Sequence, residues 1–221
     1  MYTDIVIPDG NEDKFVKFAE MLGYSSLCFL YEIEDFKKPM LKSSNLDIYH
    51  GVIVSEKDVK KGRKTADFVV VKKPNDLRLC VEKEKPDIVF DVECDSGKDF
   101  IHQRDSALDN VTSKIFNEKT VFLGFSLQNI NSSSKKEVLL GRVMQNLVLV
   151  KKHNIGLIIS SLARDPYDMR NPEDIVSLIS TVGLSKNMAK LALQKVPEIF
   201  ITNRKKRSGH LVDGVEIVGK E

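Results

Sequence analysis

Seven short apolar runs separated by amphipathic stretches constrain this chain more than any other feature. They are Thr3–Ile7, Ser25–Tyr31, Asp47–Val54, Asp67–Val71, Asp87–Val92, Val121–Leu127 and Gly156–Leu162. Several are unbroken Val, Ile and Phe segments rather than alternations of apolar and polar residues. A strand with one wet face alternates, whereas a strand buried on both faces does not. Burial on both faces is met where helices cover a parallel sheet.

The stretches between the runs carry helical spacing. Phe15, Phe18, Ala19 and Leu22 form one stripe, and Leu108, Val111 and Ile115 form another. Leu140, Val143, Met144, Leu147 and Val150 make the longest. Ser106 with Asp109, and Ser134 with Glu137, have capping-box spacing. Asn171 precedes Pro172 and Glu173, a capping residue followed by a first-turn proline and an acid. A further helix is expected from about Ser185 to Leu193, and a short one over Val196 to Ile201.

Strand–helix alternation of this kind implies an α/β fold with a parallel sheet. Periodicity does not separate a closed barrel from an open doubly wound sheet. No glycine-rich phosphate loop follows an early run, which argues against a dinucleotide fold. At 221 residues one barrel fits tightly, since such barrels typically take about 250. The expected organisation is one α/β domain over residues 1–201 and a basic C-terminal tail over 202–221, whose composition allows partial disorder. Glu56–Thr65 is the other linker-like stretch. Cys28, Cys80 and Cys94 lack metal-type spacing and are expected to be core thiols in a reducing cytoplasm. No apolar run approaches the roughly 18 residues of a membrane span.

If the runs are parallel strands, the loops that follow them share one face. Those loops carry Lys72, His102, Gln103, Arg104, Lys135, Arg164 and Arg170, with Ser, Asn and Gln between them. Cations and amides suit phosphate contacts and the reading of unpaired bases. They also suit an ordinary solvated surface. Arg142 and Asn146 lie four apart in the longest helix, on a face neighbouring its apolar stripe, read as a solvated flank or as a face that contacts a partner or orients the loop face. Two cationic runs, Lys57–Lys64 and Arg204–Arg207, are read as solvated surface or as arms that neutralise phosphates. With a net charge of only +2, a nucleic-acid binder must concentrate its cations on part of its surface.

Catalytic constellations are thin. The first run, Thr3-Asp4-Ile5-Val6-Ile7, has no histidine, and His50, His102, His153 and His210 are scattered. Asp91 and Glu93 are two apart, a spacing that would put both on one side of a strand as an acid/base pair, but the pattern is common by chance. Ser160-Ser161 has no evident base partner.

Three segments together resemble the archaeal ribonuclease P protein component 3 family: His102-Gln103-Arg104 with its following helix, Leu140-Gly141-Arg142-Val143-Met144-Gln145-Asn146, and Ile158 to Arg170. The resemblance implies a single TIM-like (β/α) barrel with parallel strands and outer helices. It implies an RNA-binding subunit of the cytoplasmic ribonucleoprotein that removes the 5′ leader of precursor tRNA. Its partners would be ribonuclease P RNA and other ribonuclease P proteins, with no membrane. The RNA would carry the chemistry with Mg2+, so that this chain alone binds no cofactor and is not catalytic. The candidate RNA-binding set is then Lys72, His102, Gln103, Arg104, Lys135, Arg142, Arg164, Arg170, Arg204 and Lys205, with no catalytic or metal residue. The competing readings are a stand-alone barrel metal-dependent hydrolase and a protein-interaction scaffold.

Overall fold

The computed structural model describes residues 1–36, 45–94, 99, 101, 104–207, 210–212 and 215–216, the last two stretches by backbone alone. The seven runs become seven parallel strands: β1 (Thr3–Val6), β2 (Ser26–Glu32), β3 (Asp47–Val54), β4 (Val69–Lys72), β5 (Ile88–Phe90), β6 (Phe122–Ser126) and β7 (Leu157–Ser160). They pair in sequence order. The ends of the sheet meet, so it is a nearly closed barrel rather than an open sheet. Leu162 N donates to the Ile5 carbonyl at 3.0 Å and Ile7 N to the Ala163 carbonyl at 2.9 Å. Buried Asp4 and Ser160 complete the seam. Asp4 Oδ1 accepts from Ser161 N at 2.8 Å and lies 2.7 Å from Ser160 Oγ, which in turn accepts from Ile5 N at 2.9 Å.

Nine helices are described: α1 (Glu12–Met21), α2 (Val59–Thr65), α3 (Leu77–Leu79, continued as a π-helical turn over Cys80–Glu84), α4 (Asn110–Glu118), α5 (Leu127–Ser132), α6 (Lys136–His153), α7 (Pro172–Thr181), α8 (Lys186–Ala192) and α9 (Val196–Arg207). Their apolar faces cover the outside of the barrel. Leu139, Val143, Leu147 and Val150 of α6 join Leu123, Phe125 and Ile159 there in one core. The interior is a second core, in which Ile5, Leu30, Phe68, Ile88, Phe90 and Ile158 meet Val196 and Ile199 of α9. The first half of α9 therefore stoppers the barrel at the amino ends of the strands. Each such side chain contributes roughly 1.5–3 kcal/mol by leaving water.

Asn171 caps α7 as expected, accepting from Glu173 N at 2.9 Å, with Pro172 in the first turn. Ser185 caps α8 through Met188 N. Four local expectations are corrected. Asp109 rather than Ser106 caps α4, accepting from Thr112 N at 2.6 Å, because Ala107 adopts a left-handed φ of 62° that stops the helix from starting earlier. Lys135 precedes α6 with no side-chain cap, and Ser133 accepts from Lys135 N instead. Glu56–Thr65 is a short 3-10 turn (Glu56–Asp58) leading into α2, since Val59 and Gly62 are buried against the strands. The helix expected to stop at Ile201 runs to Arg207, held by Asn203 Nδ2 donating to the Asp67 carbonyl at 3.0 Å and by Arg207 bonded to Asp67. Beyond it, β8 (His210–Val212) and β9 (Val215–Glu216) form an antiparallel pair. No helix among the described residues is long and apolar enough to cross a membrane.

Candidate nucleic-acid interface

The loops at the carboxyl ends of β4, β5 and β6 enclose a cleft of about 580 Å3, lined by Lys73, Glu93, Cys94, Asn129, Lys135 and Arg142 among others. One wall is built by α6 with Glu93, Cys94 and Asp99. Arg142 is buried; its Nε donates to Asp99 Oδ1 at 2.9 Å and its Nη1 to the Glu93 carbonyl at 3.2 Å. Asp99 also accepts from Arg104 Nη1 and from Asp105 N, each at 3.1 Å. Burial works against ionisation of Asp99, but the Arg142 hydrogen bond and the Asp105 amide outweigh it and hold the carboxyl below its usual range. Gln145 grips Arg104 by its backbone: Oε1 accepts from Arg104 N at 3.0 Å and Nε2 donates to the Arg104 carbonyl at 2.9 Å. Asn146 Nδ2 donates to the Ser106 carbonyl at 3.2 Å. The Arg104 guanidinium crosses α6 at Gly141, where a Cβ would lie 2.3 Å from its Nε. One helix thus uses Gly141, Arg142, Gln145 and Asn146 to fasten the segment bearing Arg104.

At the mouth of the barrel, Asp91, Glu93 and Cys94 bring one potential ligand atom each to within 4.8 Å of one another. These residues are a poor fit for a metal ion. Lys72 Nζ lies 3.3 Å from Asp91 Oδ2, and Ser126 Oγ donates to Asp91 Oδ1 at 2.8 Å. Burial, and after it the Asp91 carboxylate, push the Glu93 carboxyl up to about 8, so it is largely protonated at neutral pH. No histidine joins the cluster among the described residues, and an incoming cation would have to displace an ammonium group. The strand geometry expected for Asp91 and Glu93 is also corrected. β5 ends at Phe90, and Asp91 takes a left-handed φ of 64° that aims its carboxylate at Lys72 and Ser126.

Residues 1–209 match the model of the family described as RNase P subunit p30. The chain belongs to this family. Ribonuclease P protein component 3 of Methanosarcina barkeri is 26% identical, over 96% of this chain and 92% of that protein. A chain in a cryo-EM structure of archaeal ribonuclease P with mature tRNA superposes with a TM-score of 0.79 at 22% identity, covering 98% of this chain and 99% of that one. The same fold, at a TM-score of 0.56 and 11% identity, occurs in a histidinol phosphate phosphatase from Lactococcus lactis whose structure holds zinc, L-histidinol and phosphate, over 83% of this chain and 94% of that one.

Set on this p30-family barrel, the candidate residues divide into groups. Lys135 is exposed in the lining of the cleft, and Arg104 is exposed beside it, in a neighbouring depression with Gln145. Arg164 and Arg170 are exposed on the same end of the barrel, after β7, with Arg170 Nη1 donating to the Tyr167 and Met169 carbonyls. Lys72 points into the barrel mouth and is committed to Asp91. Arg142 and Asn146 were expected on an exposed flank of their helix. Both are buried instead, because Glu93, Asp99 and Ser106 close over that flank and bond to them. Met144, expected in the core stripe, is turned outward and 48% exposed. Arg204 and Lys205 sit on α9 at the opposite end of the barrel. His102 and Gln103 lie outside the described residues. Sequence reasoning missed Asp99, Gly141 and Gln145. The available signal for the two helix residues was a glycine and three polar residues, Arg142, Gln145 and Asn146, interrupting the otherwise apolar stretch from Val138 to Val150.

Proposed function

We propose that this chain works as an RNA-contacting subunit of ribonuclease P, with the reaction carried by the RNA subunit and its Mg2+. The reading rests on family membership and on one feature of the barrel mouth. The acids there are neutralised internally, by Lys72 on Asp91 and by protonation of Glu93, while Arg104, Lys135, Arg164 and Arg170 face outward. A hydrolase site needs an ionised base or ligand set open to substrate; this mouth offers cations instead. Arg forks and Lys ammonium groups suit phosphate oxygens. The expected partners are ribonuclease P RNA, other ribonuclease P proteins and, through the assembled particle, precursor tRNA, in the cytoplasm. No resident metal or cofactor is expected on this chain.

The test is reconstitution of precursor-tRNA cleavage from ribonuclease P RNA and its proteins, with and without this chain. Omission should depress 5′-leader removal, and the R104A/R164A/R170A variant should restore it incompletely. Pure chain freed of RNA should not cleave precursor tRNA in Mg2+. Cleavage by the chain alone, or full activity without it, would overturn the reading.

A further inference from the structure

The ends of the two cationic runs of the sequence meet at the end of the barrel opposite the cleft. Arg207, at the end of α9, is bonded to Asp67 and to the Lys64 carbonyl, 143 residues away, at the end of α2. Two adjoining depressions, of about 590 and 290 Å3, share Arg63, Asn203 and Lys206 and form one groove across the base. Lys85 and Lys119 line it as well.

The charges in this groove do not cancel. Each acid along it is engaged: Asp87 by Arg63 at 3.1 Å and by Val69 N at 2.7 Å, Asp67 by Arg207 at 2.6 Å, Glu84 by Lys60 at 4.0 Å and Glu198 by Lys195 at 2.7 Å. Lys85, Lys119 and Lys206 form no ion pair among the described residues. Lys85 and Lys206 are exposed and Lys119 partly so. Arg63 and Arg207 are held in ion pairs with Asp87 and Asp67, so the uncompensated charge of the groove rests on the three lysines, which are mobile point charges. Five cations, Arg63, Lys85, Lys119, Lys206 and Arg207, line the two depressions against four acids, and an excess of one sign along a groove raises the local concentration of counter-charged ligands. Phosphates match such a groove because its charged side chains left without an ion pair are lysines, set beside Phe122 and Ile199.

We propose that this basal groove is a second RNA-backbone surface, so that the barrel is gripped by RNA at both ends. The inference rests on the reading of the chain as a ribonuclease P subunit and adds a second contact to it. It predicts sequence-independent, salt-sensitive binding that does not require the Arg104 face.

The experiment uses the full chain and two variants, K85A/K119A/K206A and R104A/R164A/R170A. Binding to ribonuclease P RNA is measured across a salt series, together with assembly with the other ribonuclease P proteins. The lysine variant is expected to fold, since none of its three side chains is buried. Each lost phosphate contact should lower the log–log salt slope by about 0.7 to 0.9, so the lysine variant should lose roughly two units of slope or more. The arginine variant should retain that component. An unchanged slope in the lysine variant overturns the basal surface even if the arginine variant loses binding and cleavage support. Unchanged RNA binding with lost assembly would assign the groove to a protein partner and also overturn it. Loss of cleavage support is the separate readout for the subunit reading, and a basal contribution to RNA binding would stand without it.

Discussion

Asp4 and Ser160, 156 residues apart in sequence, are joined across the barrel seam, with Ser160 Oγ 2.7 Å from Asp4 Oδ1. Both are buried. The same carboxyl oxygen takes the Ile5 and Ser161 amides, so one side chain serves both edges of the sheet. Burial pushes the Asp4 carboxyl above its usual range. D4A should cost roughly 1–3 kcal/mol for each amide left without an acceptor. D4N should recover much of this, because an amide oxygen still accepts. Urea unfolding of both variants checks the order; equal loss in the two would show that the hydrogen bonds are not what closes the seam.

Arg142 should behave as a structural residue. R142A removes the buried guanidinium that joins Asp99 to the Glu93 carbonyl and should lower stability by roughly 1–3 kcal/mol. R142K should restore only part of it, since an ammonium lacks the planar fork. A thermal melt indistinguishable from the native chain would return Arg142 to the exposed, partner-facing role that helical spacing alone suggests.

Glu93 gives a pH signature. In the fold its carboxyl titrates near 8, raised by burial and then by the Asp91 carboxylate, against an ordinary value of 4.5. Between those values the folded chain keeps a proton that the unfolded chain has released. The contribution of this group is therefore full below about 4.5 and falls as pH rises to about 8. E93Q stays neutral throughout. The Tm of E93Q should exceed that of the native chain at pH 8, and the gap should close toward pH 5. A gap that is constant or opposite in sign rules out a protonated Glu93.

Two glycines separate fold from function. At Gly124, inside the barrel, a Cβ would lie 2.4 Å from the Phe90 ring, and G124A should cost about 1–3 kcal/mol through overpacking. At Gly141 the obstacle is the far end of Arg104, which can swing away. G141A should leave the melt unchanged or raise it slightly, since alanine favours helix by about 1 kcal/mol. It should nonetheless reduce cleavage support in the reconstituted particle. Full support with G141A would show that the placement of Arg104 is unimportant.

All seven strands were legible, several of them because burial on both faces writes an unbroken apolar run, and Asn171-Pro172 announced its helix start through local chemistry alone. The closed seam was not legible, since it depends on an aspartate and a serine that look unremarkable in their own runs. Nor was the burial of Arg142 and Asn146. Helical periodicity reports which side of α6 faces the barrel, and the segment packed over its other flank leaves no periodic mark. Likewise, the charge runs were visible but their meeting was not, because nothing local in Lys57–Lys64 points to Asn203–Arg207.

That meeting joins two processes usually treated apart. Val196 and Ile199 seal the barrel while Lys206 and Arg207, on the same rigid α9, face the basal groove. An occupant of the groove binds only the chain in which that helix is docked, so it is also a ligand of the folded state. At 100 times its Kd it would add about 2.7 kcal/mol to unfolding. With that groove occupied in the assembled particle, the free subunit would be the least protected form of this barrel and assembly would act as its stabiliser.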